Sequence, residues 1–103
     1  MIKVSVMYPA GENSRFDMDY YLKSHIPLVQ RTLGAALKGV AVDQGLGGGE
    51  PGSPPTYAAV GHLLFDSVEA FQEAFAPHAG TITGDIPNYT NVEPTLQINE
   101  VKL

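Results

Sequence analysis

The sequence of 103 residues has no cysteine, no tryptophan and only six lysines and arginines. Without cysteine there is no disulfide framework, no thiolate metal site and no cysteine nucleophile. The six cations are scattered from Lys3 to Lys102 against eleven acids, for a formal net charge of −5. No basic stripe exists to neutralise phosphates, so neither nucleic acid nor an anionic membrane surface is expected as a partner. No apolar run approaches the roughly 20 residues that span a bilayer. The opening Met1-Ile2-Lys3-Val4-Ser5-Val6 alternates like a strand instead of carrying the basic and apolar regions of a secretory signal, so a cytoplasmic protein is expected. The length supports one core, hence a single domain over residues 1–103.

What is present is a regular alternation of strand and helix patterns. Ile2, Val4, Val6 and Tyr8 alternate with Lys3, Ser5 and Met7, which predicts a first strand. Asp17 is placed to cap a helix that runs to Leu33 and stops at Gly34, with Pro27 kinking it near Lys23 and Ser24. A second strand is expected from Leu37 to Gly45 and a third from Tyr57 to Phe65, joined by a segment rich in glycine and proline. Asp66 or Ser67 caps a second helix whose apolar row is Val68, Phe71, Phe75, His78 and Ile82, with Pro77 separating off its last part. The loop from Thr83 to Asn91 leads into a last strand from Val92 to Leu103.

The order strand, helix, strand, strand, helix, strand predicts an α+β, ferredoxin-like βαββαβ fold: a four-stranded antiparallel sheet with the helices on one face. The other face, with Ser5, Met7, Val60, His62, Leu64 and Gln97, is too apolar to be simply solvated. A homodimer packed sheet to sheet is the expected arrangement.

The chemistry concentrates in the first helix. Met18, Leu22, His25, Val29 and Leu33 follow at steps of four, three, four and four, which places a histidine on the buried stripe, with Tyr21 one turn before it. An imidazole turned inward needs a hydrogen-bond partner, since leaving it unpaired costs about 1–3 kcal/mol. Two readings follow. In one, His25 is a general acid or base whose ordinary pKa lies near neutrality. In the other it bonds a backbone carbonyl freed by Pro27 and only ties the kink. Tyr20 or Tyr21 is placed to bind a phenol or carbonyl oxygen, and Asn88 or Tyr89 to close the cavity beneath the helix. His78 either contributes to the pocket or ends its helix as a cation near the C-terminus. His62 reads as a hydrogen-bonded residue of the sheet interface.

Three histidines raise zinc, but none share the short spacings of metal sites on one helix. No metal or organic cofactor is expected. Gly47-x-Gly49-x-x-Gly52 matches a dinucleotide fingerprint formally, yet Pro54 and Pro55 lead it into a strand instead of a helix.

Val4-Ser5-Val6-Met7-Tyr8-Pro9, the helix with Phe16-Asp17, Tyr20-Tyr21 and His25-Ile26-Pro27-Leu28, Phe65-Asp66-Ser67-Val68-Glu69-Ala70-Phe71 and Asp85-Ile86-Pro87-Asn88-Tyr89-Thr90 occur in the order seen in the EthD family. The chain resembles that family over nearly its whole length, and the resemblance implies a dimeric α+β barrel. The family is named for a protein encoded beside a haem monooxygenase system that degrades ethyl tert-butyl ether. Related barrels include isomerases, cyclases, lyases and cofactor-free oxygenases acting on aromatic or polyketide-like molecules. Carried over by position, the family's helix histidine falls on His25 and its late loop on Asp85 to Thr90. The expectation is a small dimeric, cofactor-free enzyme, an isomerase, lyase or monooxygenase-like oxidoreductase, acting on an apolar or aromatic compound. His25 and Tyr21 are its catalytic candidates, and Tyr20, His78, Asn88 and Tyr89 its substrate-binding ones. The rival is a non-catalytic carrier of a hydrophobic metabolite.

Overall fold

The computed structural model describes residues 1–103. Strand β1 is Ile2–Pro9, β2 Gly39–Gln44, β3 Tyr57–Phe65 and β4 Thr95–Glu100. Helix α1 occupies residues 18–33, α2 is Val68–Phe75 and α3 is Ala79–Gly84. The sheet order is β2-β3-β1-β4, and every pairing is antiparallel. This is the ferredoxin-like arrangement expected from the element order.

Register puts the alternating apolar residues on one face. Val4 stands opposite Leu63 and Ile98, and Leu63 opposite Val40. Ile2, Val4, Leu63 and Phe65 pack against Val29 and Leu33 of α1, Phe71 of α2 and Ile82 of α3. The helices therefore all lie on that face. A second, more aromatic cluster sits at the other end of the sheet and joins Tyr8, Tyr21, Ile26, Ala59 and Tyr89. Strands β2 and β4 are shorter than their sequence patterns. A short turn at Gly34–Ala36 takes up chain before β2, and Pro94, which has no N–H for the ladder, precedes the first paired residue of β4.

The caps are as the sequence predicts. Asp17 accepts from the backbone N–H of Tyr20, Ser67 from that of Ala70, and Gly34 ends α1 at φ 58°. The interior of α1 departs from the simple 3.6-residue stripe. Its path is α over Met18–Tyr20, π over Tyr21–His25 and α again over Ile26–Leu33. The wider turn takes in an extra residue just before Pro27 and resets the inward face. Tyr21, His25, Ile26, Val29 and Leu33 are buried, whereas Leu22 is 46% exposed. Leu22 was expected on the buried stripe; the π turn moves Tyr21 into that place.

Candidate functional site

His25 is 4% exposed, and it does not bond a carbonyl freed by Pro27. Its Nδ1 lies 2.9 Å from Asp85 Oδ2, in the turn that follows α3. A carboxylate only accepts, so Nδ1–H donates and the neutral ring keeps its lone pair on Nε2. Asp85 is itself held. Its Oδ1 accepts from Tyr20 Oη at 2.7 Å and from Asn88 Nδ2 at 2.9 Å. Burial works to raise the Asp85 pKa, but the hydrogen bonds from Asn88, Tyr20 and His25 outweigh it and hold the carboxyl below its ordinary range. For His25 the balance runs the other way. Desolvation pushes its pKa below 6.5 against the opposing pull of Asp85, so the ring is neutral at pH 7.

Behind the ring stands a line of phenols. Tyr89 Oη lies 3.4 Å from His25 Nε2, and Tyr8 Oη lies 2.7 Å from Tyr89 Oη. Tyr21 stacks on His25 at 5.4 Å between ring centres. Its hydroxyl reaches toward that of Tyr8 without closing a well-formed hydrogen bond. Desolvation raises the pKa of Tyr8, Tyr21 and Tyr89 alike, so all three are neutral donors. Since the lone pair of Nε2 ends the line, Tyr8 donates to Tyr89 and Tyr89 to Nε2. The contact to Nε2 is long for a hydrogen bond, which leaves that atom weakly engaged.

Between the helices and the sheet lies a cavity of about 60 Å³ with twelve hydrophobic residues among its fifteen lining residues. Tyr8, Tyr21 and His25 form its polar end, while Val4, Leu63, Phe71 and Ile82 belong to its apolar walls. No lysine, arginine or carboxylate lines it. Glycine at position 61 makes room here. A Cβ on Gly61 would overlap the Tyr21 hydroxyl, so the bare strand is what lets that phenol lie down on β3.

The structure brings His25 and Tyr21 together in the cavity, but it separates the other candidates. Tyr20 and Asn88 do not line the cavity; they face Asp85 from outside and hold it. Tyr89 is buried at 1% exposure behind His25, within the phenol line. His78 is exposed and lies in the turn Ala76–His78 that Pro77 inserts after α2. The helical row expected to carry it inward is broken there, so it stands apart from the cavity. His62 lies on the opposite face of the sheet, 2.8 Å from Asp43 and 3.4 Å from Ser5. No group of three or more metal-binding side chains forms anywhere in the molecule. Sequence reasoning placed Asp85 only as the start of the family's late loop and gave no individual role to it, to Tyr8 or to Gly61. The available signal for Asp85 was its isolation: it is the only acid between Glu73 and Glu93, set between Ile82 and Ile86.

A split βαβ sheet with its helices on one face, and an oriented imidazole at the polar end of an interlayer cavity, define a small ferredoxin-like α+β protein with an enclosed, mostly apolar site. The chain belongs to the EthD family, whose domain model matches residues 11–93. An EthD-like protein from Ralstonia eutropha JMP134, known from its crystal structure, is 45% identical with a TM-score of 0.95, over 99% of this chain and 92% of that one. An ethyl tert-butyl ether d (EthD) family protein from Bacillus halodurans C-125 has a TM-score of 0.69 over 99% of both chains. At 21% identity, that likeness is one of fold. Among proteins of curated function, no match is found.

Proposed function

We propose that the protein is a cofactor-independent enzyme that moves a proton on a small, uncharged carbonyl or phenolic compound with an apolar body. One observation carries this reading: a neutral imidazole, fixed by Asp85 through Nδ1 and only weakly engaged by Tyr89 at Nε2, lines a mostly apolar cavity together with the Tyr21 phenol. In the proposed step the long contact from Tyr89 gives way, Nε2 takes a proton from carbon beside a carbonyl, and the Tyr21 hydroxyl donates a hydrogen bond to the oxygen as charge develops on it. Return of the proton to another carbon completes an isomerisation, and loss of a leaving group completes a lyase reaction. The absence of any cation from the lining disfavours carboxylates and phosphates as substrates.

The cavity is smaller than the roughly 150 Å³ that accommodates benzene in an engineered protein site. A small carbonyl compound enters it directly, whereas an aromatic ring enters by displacing half-buried Phe75 and the exposed Leu96 at its margin. We also propose that the molecule works as a homodimer joined through the sheet face that no helix covers.

The test follows deuterium exchange beside the carbonyl of small ketones in heavy water by NMR. Exchange faster than buffer, lost in a folded His25→Gln variant, is the expected result. Ketones that bind without any acceleration would overturn the catalytic reading in favour of a carrier.

A further inference from the structure

The inner cavity has a neighbour. Thr83, Ile86 and Pro94 line it and also line a second, wide-open groove of about 330 Å³ that runs along residues 90–94. The two spaces therefore adjoin, and they differ in character: the inner one is mostly apolar, whereas the groove has two hydrophobic residues among eight.

Most of the groove's polar groups are already committed. Thr90 Oγ1 donates to the Arg15 carbonyl at 2.6 Å and accepts from Val92 N at 3.3 Å. Asn91 accepts from Arg15 N at 2.7 Å and donates to the Asn13 carbonyl at 2.8 Å. These bonds tie the groove to the loop before α1. Glu93 is its only charged lining residue, exposed and without a hydrogen bond or ion pair. The guanidinium of Arg15, whose backbone is tied to the groove, is not part of its lining.

We propose that this groove opens into the inner cavity past Thr83, Ile86 and Pro94 and is an outer subsite that reads the far end of the ligand, accepting an uncharged or cationic polar end and discriminating against an anionic one through Glu93. The inference rests on the inner cavity taking the carbonyl end, as proposed above. The ligand class is then an amphiphile: a carbonyl at His25, an apolar middle between the layers, and a hydroxyl or ammonium lying over residues 90–94.

Four methyl ketones test this by ligand-detected NMR titration: a short one, and three of eight carbons ending in a hydroxyl, an ammonium or a carboxylate. The expected result is that the hydroxyl and ammonium chains bind more tightly than the carboxylate chain, by about fivefold for an exposed charge. Glu93 is exposed, so its substitution leaves the fold intact. Glu93→Gln narrows the gap and Glu93→Lys reverses it. Binding of the short ketone with no preference among chain ends, or a preference that Glu93→Lys leaves unchanged, overturns the outer subsite and leaves the inner reading standing. Failure of all four to bind overturns both.

Discussion

At the scale of single residues, the pair His25 and Asp85 sets both reactivity and pH response. Folding lowers the His25 pKa below 6.5, first through desolvation. The unfolded chain therefore binds a proton that the folded one refuses in the window just below 6.5. Stability conferred by the neutral ring is fully present above 6.5 and is lost as pH falls through the lower folded value. Thermal melts between neutral and mildly acidic pH are expected to show that decline in the wild type and a flatter curve in His25→Gln. Asp85, also lowered, loses its contribution only in more acidic solution, below 3.8. Asp85→Asn replaces the fixed acceptor with an amide that can face the ring either way. Imidazole nitrogen NMR is expected to show one tautomer in the wild type and a mixture in the variant, with proton-transfer activity down about tenfold or more, as in other His–Asp pairs. An unchanged tautomer would remove Asp85 from its positioning role. His25 was legible in the sequence because a histidine interrupts an apolar stripe. Asp85 was not, because sixty residues separate it from the ring and no local period links them.

At the scale of elements, the π turn in α1 decides which side chains face inward. Ser24 lies within it and is exposed. Ser24→Ala is expected to change stability by no more than about 0.5 kcal/mol. Deleting Ser24 removes the extra residue, turns Tyr21 and its neighbours about one residue around the helix axis, and takes the phenol from beneath His25. Near-ultraviolet circular dichroism of the tyrosine cluster, together with urea unfolding, separates the two outcomes. Strand β3 makes the complementary demand at Gly61. Gly61→Ala is expected to cost about 1–3 kcal/mol through overlap with the Tyr21 hydroxyl. Tyr21→Phe in the same chain removes the overlapping atom and recovers part of that loss, as a double-mutant cycle measures. An additive cycle would place the strain elsewhere. The strands and the caps were readable from alternation and capping residues, and Pro27 marked where the helix leaves a regular α path. That it does so as a π turn over Tyr21–His25 was not readable. A 3.6-residue stripe through Leu22 and one reset through Tyr21 use the same residues, and only packing against Tyr8 and Gly61 selects between them.

At the scale of the whole molecule, one sheet face is covered by helices and the other is bare, and this asymmetry underlies the proposed dimer. Met7, Val60 and Leu64 bring apolar surface to the bare face. A polar band crosses it from β2 to β4. Asp43 bonds His62, His62 meets Ser5, Asn99 donates to Ser5 at 3.4 Å, and Gln97 donates to Asn99 at 2.7 Å. Because the band's polar groups bond one another within a single copy, a second copy laid over the face buries apolar area without stranding them. Sedimentation is expected to give twice the 11.0 kDa mass of the chain. Val60→Glu places a charge at the centre of that face but outside both cores, so it is expected to yield a folded monomer with an unchanged melting profile at low concentration. Each copy carries a net charge of −5, so approach of two copies is opposed at long range. Salt screens that repulsion, with a Debye length of about 10 Å at 0.1 M. The dimer is therefore expected to tighten as salt rises from millimolar to physiological levels. A wild-type chain that sediments as a monomer at high concentration and moderate salt would sink the sheet-to-sheet pairing.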